Sequence, residues 1–203
     1  MDPAPAQIIA YPIRDNLYLN ITDRCTLQCQ FCPKYNGSHK VHDYDLALHH
    51  RPTAEQIISA INQPSRYREV VFCGYGEPTL RLKVLLDVAE FVKSHGGRTR
   101  LNTDGLANLV HKRNVLPELS RVIDAISVSM NATDADTYQR HCQPALDDSF
   151  AAMLDFLAKA PKHITKVTAT AIDGLDGVNI KHCRSLAAWL GVRFRCRKLD
   201  VVG

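Results

Sequence analysis

Three cysteines fall within one short stretch, Cys25-Thr-Leu-Gln-Cys29-Gln-Phe-Cys32. Thiolates are soft ligands that suit iron–sulfur clusters and zinc. Spacings this short let one loop present three sulfurs to a common centre. A closed structural zinc site takes a fourth ligand; the nearest ones are His39 and His42, so a Cys3His zinc site is compatible with the residues. Three cysteines without a fourth mean something else for a four-iron cluster. One iron then lacks a protein ligand and is open to a small molecule, which marks a reactive cluster and not a pure electron carrier.

The other four cysteines, Cys73, Cys142, Cys183 and Cys196, are scattered. An odd total of seven argues against a disulfide framework. So does the opening Met1-Asp2-Pro3-Ala4, which has neither the basic nor the apolar region of a secretory signal. The cytoplasm is therefore the expected compartment. Cys183, inside a helical stretch, and Cys196, on the apolar side of a strand, read as core. Cys73 reads as a buried thiol with the alternative of facing a cavity.

The elements that must position the triad alternate regularly. Strand-like runs occur at 16–22, 69–75, 98–104, 124–131, 166–172 and 192–198. Helix-like runs lie between them at 53–63, 81–95, 107–120, 134–141, 146–160 and 178–190. Thr53, followed three residues later by Gln56, has the form of a capping box. Gly96-Gly97 and Gly191 stop two helices. Six strands in 203 residues give about 34 residues per unit, enough for a βαβ repeat. Alternation of this kind predicts a parallel sheet with right-handed crossovers. The chain is short of the roughly 250 residues of a closed eight-fold barrel. The expected fold class is α/β, a single domain over 1–203 built either as an open six-stranded partial barrel or as a doubly wound sheet.

The strands also alternate in polarity. Leu17, Leu19 and Ile21 oppose Tyr18, Asn20 and Thr22. Ile126, Val128 and Met130 oppose Ser127, Ser129 and Asn131. Val192, Phe194 and Cys196 oppose Arg193, Arg195 and Arg197. With the apolar sets against the helices, the inner face is polar, and a ligand rather than a packed core is expected in the concavity. An antiparallel sheet with one wet face is the alternative. With 45% hydrophobic residues the chain is no disordered segment, and its apolar runs are too short to span a membrane. A formal net charge of +4, spread along the chain, does not demand a nucleic-acid partner.

The CxxxCxxC run, with Phe31 just before its last cysteine, resembles the signature of radical S-adenosylmethionine (SAM) enzymes. Three further segments resemble that family in the family's order. Gly74-Tyr75-Gly76-Glu77-Pro78 is similar to its GGEP motif, Asn102-Thr103-Asp104-Gly105 to its T-N-G segment, and Val128-Ser129-Met130-Asn131-Ala132 to its S-L-D-A segment. More narrowly, the opening strand and the stretch YDLALHHRPTAEQII resemble the small TatD-associated radical SAM proteins.

The resemblance implies an open (βα)6 partial TIM barrel over essentially the whole chain, and a [4Fe-4S] cluster on Cys25, Cys29 and Cys32, with the amine and carboxylate of S-adenosyl-L-methionine chelating the open iron. Reduction then cleaves the sulfonium S–C5′ bond, and the resulting 5′-deoxyadenosyl radical abstracts hydrogen from a substrate. The cofactor-binding residues it implies are Phe31 near the adenine, Gly76 and Glu77 at the methionyl amine, and Ser129 and Asn131 at ribose or carboxylate. Asn102 and Thr103 are matched less closely, because this chain reads NTDG. Arg195 would clamp the cofactor carboxylate or an anionic substrate, or else protect a sheet edge.

An external electron donor of flavodoxin or ferredoxin type is implied. With the chain ending shortly after its last strand (near Asp200), no appended domain is expected. A large substrate, protein or nucleic acid, entering from the open side fits that expectation. Tyr18, Asn20, Thr168, Thr170 and Arg197 are candidate substrate contacts. A glycyl-radical-enzyme activase, and a non-catalytic zinc or redox module, are the rival functions. The segment 37–50, with four histidines, reads as a solvated loop carrying an edge strand at 45–49, or as a lid, docking surface or metal site.

Overall fold

The computed structural model describes residues 7–199. The opening Met1–Ala4 and Asp200 lie outside them. Seven strands form one sheet in the order β1-β2-β5-β6-β7-β8-β9. These are β1 (Ala10–Ile13), β2 (Asn16–Asn20), β5 (Glu69–Cys73), β6 (Thr99–Thr103), β7 (Ala125–Ser129), β8 (Lys166–Asp173) and β9 (Arg193–Lys198). From β2 to β9 every pairing is parallel. The helices between them are α1 (Ala54–Ala60), α2 (Leu82–Ser94), α3 (Ala107–Val110), α4 (Leu116–Val122), α5 (Ala135–Cys142), α6 (Ser149–Lys159) and α7 (Ile180–Trp189). This is an open, partial (βα) barrel, one of the two architectures the alternation allows and the one the resemblance implies.

Strand polarity sets the two faces. Leu17, Leu19, Val70, Phe72, Leu101, Ile126, Val128 and Ala169 are buried in the main core with Leu85, Val88, Leu119 and Phe156 from the helices. The intervening polar residues are left to the concave side. Local signals fix the helix ends. Thr53 and Gln56 exchange both capping-box bonds at the start of α1. Asp134 accepts from Thr137 at the start of α5, and Asn179 accepts from Lys181 and His182 at α7.

The structure adds β1, antiparallel to β2 with Ala10 opposite Leu19. It is only four residues long and contains Pro12, which is tolerated because β1 is an edge strand. The segment 37–50 also differs from expectation. It forms a small hairpin, β3 (Lys40–Val41) with β4 (Tyr44–Asp45), instead of a strand at 45–49. His42 takes a left-handed φ of 52° at its turn. Leu46 is fully buried with Tyr11 and Tyr75 in a second small core. Asn20 ties this unit down: its Nδ2 donates to Ile8 O (3.1 Å) and Leu46 O (2.9 Å), and its Oδ1 accepts from Tyr75 N (3.3 Å). Cys183 is buried as expected, but Cys196 is exposed. β9 is the terminal strand, so its outer face is only partly covered and strand alternation alone misplaces Cys196 in the core.

Candidate active site

The cysteine loop leaves β2 at the C-terminal edge of the parallel sheet and is pinned from two sides. Gln28 N donates to Cys142 O (3.0 Å) and Gln30 N to His141 O (3.0 Å), fastening it to the end of α5. The Thr26 hydroxyl makes a short hydrogen bond to Asp104 Oδ2 just after β6. Glu77 N donates to Arg24 O (2.7 Å), so the loop also rests on the turn after β5. Gly76 permits that contact. A Cβ there would stand 2.2 Å from Arg24 O and 2.8 Å from Arg24 N. Gly74 has a φ of 86° and lies against the Asn20 backbone. The close approach that demands glycine at these two positions is by the chain itself.

Between the loop and the strand ends lies a cavity of about 180 Å3. Cys25, Cys29, Phe31, Gly76 and Glu77 line one side of it. Asn102, Thr103, Ser129, Asn131 and Arg195 line the other. Of the residues singled out from the sequence as candidate substrate contacts, Thr170 and Arg197 reach this cavity. Tyr18 instead stacks on Tyr11, with ring centroids 5.7 Å apart, and Asn20 is consumed by the bonds described above. Cys32 is half-buried beside the cavity, with its N–H on Cys29 O (2.9 Å).

Cys73, Ser127 and Asp104 also line the cavity. Ser127 was legible as the strand neighbour of Ser129. Asp104 sits where the NTDG segment departs from the family pattern, and that departure was its only signal.

Several lining groups are already occupied. Glu77 Oε1 accepts from Thr79 N (3.0 Å), Thr79 Oγ1 (2.6 Å) and Thr103 Oγ1 (2.9 Å). Its Oε2 accepts only from Asp104 N (2.7 Å), which leaves room for another donor. Thr103 is thus a prop for Glu77. Asn102 donates from Nδ2 to Cys73 Sγ (3.5 Å). Asn131 differs: with a left-handed φ of 56°, it buries an Oδ1 that has no partner. A buried acceptor without a donor costs about 1–3 kcal/mol, and a hydroxyl or ammonium of a ligand would supply one.

Burial, and then the neighbouring Asp104, push Glu77 up to about 8. Asp104 is raised as well, chiefly by burial. A carboxyl group raised in the folded state holds a proton there that the unfolded chain has released, so this pair costs stability as pH rises from the ordinary carboxylate range toward 8. The ligand-free protein is expected to lose stability between pH 5 and pH 8. Urea midpoints measured across that range will fall with pH, and Glu77→Gln will flatten the slope. An equally steep slope in that variant would show that the pair does not titrate in this way.

The donor set suits a soft metal centre. All three loop cysteines are free thiols. Burial, followed by Asp104 and Glu77, pushes Cys25 up to about 12. Cys29 is raised by a hydrogen bond with Cys142, then by burial, then by its neighbouring thiols. Thiols held protonated in this way become thiolates when a cation enters among them. Among the described residues, no three His, Cys, Asp or Glu side chains converge closely enough to hold a metal ion as they stand. His39, a possible zinc ligand, lies against Tyr75 with centroids 5.5 Å apart.

Residues 19–190 match the family model described as the radical SAM superfamily. This chain belongs to the radical SAM superfamily. A curated relative, the tungsten-containing aldehyde ferredoxin oxidoreductase cofactor-modifying protein of Pyrococcus furiosus, is 31% identical over 117 residues, or 57% of this chain. The chain spans 30% of that relative's length. Among solved structures, TYW1 with a lysine-pyruvate adduct bound superposes with a TM-score of 0.64 at 15% identity, covering 93% of this chain and 66% of the other. Streptococcus suis SuiB bound to precursor peptide SuiA gives a TM-score of 0.68 at 14% identity, over 92% and 39%. At those identities the likeness is one of fold alone. No helix among the described residues is long and apolar enough to cross a membrane.

Proposed function

We propose that this protein is a radical SAM enzyme in which Cys25, Cys29 and Cys32 ligate a [4Fe-4S] cluster and the cavity beside them holds S-adenosyl-L-methionine. One observation carries the reading. Two of the three cysteines, and every residue expected from the sequence at the cofactor, line a single cavity at the C-terminal ends of the parallel strands. Held by Cys25, Cys29 and Cys32, the cluster would pass one electron from an external donor to the sulfonium of S-adenosyl-L-methionine, supplying hydrogen-abstracting radical chemistry.

The chain's own residues bind and orient. Glu77 Oε2 accepts from the methionyl ammonium. Asn131 Oδ1 and the Ser129 hydroxyl take the ribose or carboxylate, and Arg195 takes a carboxylate. Phe31 packs at the adenine, with Gly76, Asn102 and Thr103 completing the wall. Leu27 and Phe31 of the cysteine loop give the cavity an apolar wall that limits water at the reacting bond.

In this reading residues 1–203 constitute one core domain. The protein is cytoplasmic, draws electrons from a flavodoxin- or ferredoxin-type donor, and is akin to the TatD-associated group. A protein or nucleic-acid substrate enters from the open side of the sheet, between the free edges of β1 and β9. The test is anaerobic reconstitution followed by iron and sulfide analysis, then incubation with dithionite and S-adenosylmethionine. Near four irons per chain, with methionine and 5′-deoxyadenosine released, is the expected result. A colourless protein holding one zinc, or a full cluster without cleavage, overturns the reading.

A further inference from the structure

Arg100, Arg195 and Arg197 lie on the concave face, and of these only Arg100 is compensated. Arg100 Nε lies 2.9 Å from Glu69 Oε2, and its Nη1 reaches Asn102 Oδ1 (3.4 Å). Arg195 and Arg197, successive inward positions on β9, enter no ion pair among the described residues. Both line the cavity. Arg197 Nε is buried and has no hydrogen-bond partner.

A guanidinium cannot shed its proton to escape such a site. It stays charged, and holding a half-buried charge with its Nε unpartnered carries a cost. Burial, and then the neighbouring Arg195, hold Arg197 below the usual arginine range, and no carboxylate among the described residues pairs with it. The cavity's two acids are committed elsewhere: Glu77 to Thr79, Thr103 and Asp104 N, and Asp104 to Thr26 and Leu106 N.

Edge protection does not explain Arg197. That task falls to Arg193 and Lys198, both exposed on the same strand. A single methionyl carboxylate brings one negative charge against two guanidiniums, and the proposed function already assigns it to Arg195. The buried Nε of Arg197 still lacks an acceptor, and β9, at the open edge of the sheet, is where a substrate group would reach it.

We infer that Arg197 is the receptor for an anionic oxyacid group, a carboxylate or a phosphate, carried by the substrate and bound beside the cofactor. The inference rests on the proposed radical SAM function and narrows its substrate to molecules presenting such a group.

The test uses reconstituted protein saturated with S-adenosylmethionine and two probes, acetate and inorganic phosphate, titrated separately by calorimetry. Saturable binding of at least one is expected, and the stronger probe identifies the class of group. Arg197→Gln should weaken that probe roughly tenfold or more, the loss expected for a charge-assisted hydrogen bond. Affinity for S-adenosylmethionine should stay within about twofold, because this arginine faces the substrate. Arg197→Lys keeps the charge, guards against a variant that fails to fold, and should retain measurable probe binding. The inference is overturned if neither probe saturates, if Arg197→Gln binds both as tightly as the parent, or if that variant loses the cofactor instead of the probe. Iron content and cofactor cleavage of the unsubstituted protein report on the underlying function separately. A cluster-free protein that still bound phosphate through Arg197 would refute that function and leave the anion site standing.

Discussion

Cys25→Ala, Cys29→Ala and Cys32→Ala are each expected to strip the reconstituted protein of most of its iron and to lower cleavage of S-adenosylmethionine more than about 100-fold. Losing even an outer-shell partner of a metal site costs about 10–100-fold, so loss of a direct ligand should exceed that. Cys142→Ala supplies the contrast. Its thiol is fully buried, is hydrogen-bonded with Cys29, and also takes a long contact from Asn131 Nδ2 (3.9 Å). A ligand set of Cys29 with Cys142 is therefore the arrangement that competes with the loop triad. The triad predicts that Cys142→Ala keeps its iron and its cleavage activity while losing about 1 kcal/mol of packing. Cys32→Ala is the sharpest of the three substitutions, because Cys32 stands beside the cavity and not in its wall. Iron content equal to the parent in Cys32→Ala, or lost in Cys142→Ala, would reassign the ligands.

The features readable from the sequence are those encoded by neighbours along the chain. Leu17 and Leu19 alternate with Tyr18 and Asn20, so one face of β2 was visible as core and the other as lumen. Thr53 and Gln56 specify a helix start within three residues. Ser129, Asn131 and Arg195 followed from strand parity and family resemblance together. What stayed hidden depends on contacts between distant segments. The Thr26–Asp104 bond joins residues 78 apart in the chain. The packing of Cys142 on Cys29 needs the end of α5 folded back over the loop. Asn20 looked like a lumen residue because its parity is correct, yet the added β1 strand and the β3–β4 hairpin recruit its amide. Those additions are short, and one contains proline, so neither propensity nor period announced them.

Gly76→Ala is expected to be the most damaging single substitution outside the cysteines. A methyl group there would sit 2.2 Å from Arg24 O and 2.8 Å from Asp23 C, both backbone atoms. The Arg24 carbonyl has little freedom to yield, since it accepts from Glu77 N at 2.7 Å. Relief must therefore come from moving the start of the cysteine loop away from the turn after β5, which carries Cys25 out of register with the cavity. Overpacking against backbone typically costs about 1–3 kcal/mol, and more where nothing can relax. Stability should fall by about 3 kcal/mol in urea unfolding, with iron content and cofactor cleavage falling further than stability alone explains. Gly191→Ala separates backbone conformation from this packing effect. It has a φ of 72° but nothing within 4 Å of the added carbon, so it should cost about 1 kcal/mol and leave the cluster intact. If Gly76→Ala instead matched Gly191→Ala in stability and kept full iron, the contact between the GYGEP turn and the cysteine loop would not be what holds the loop in place.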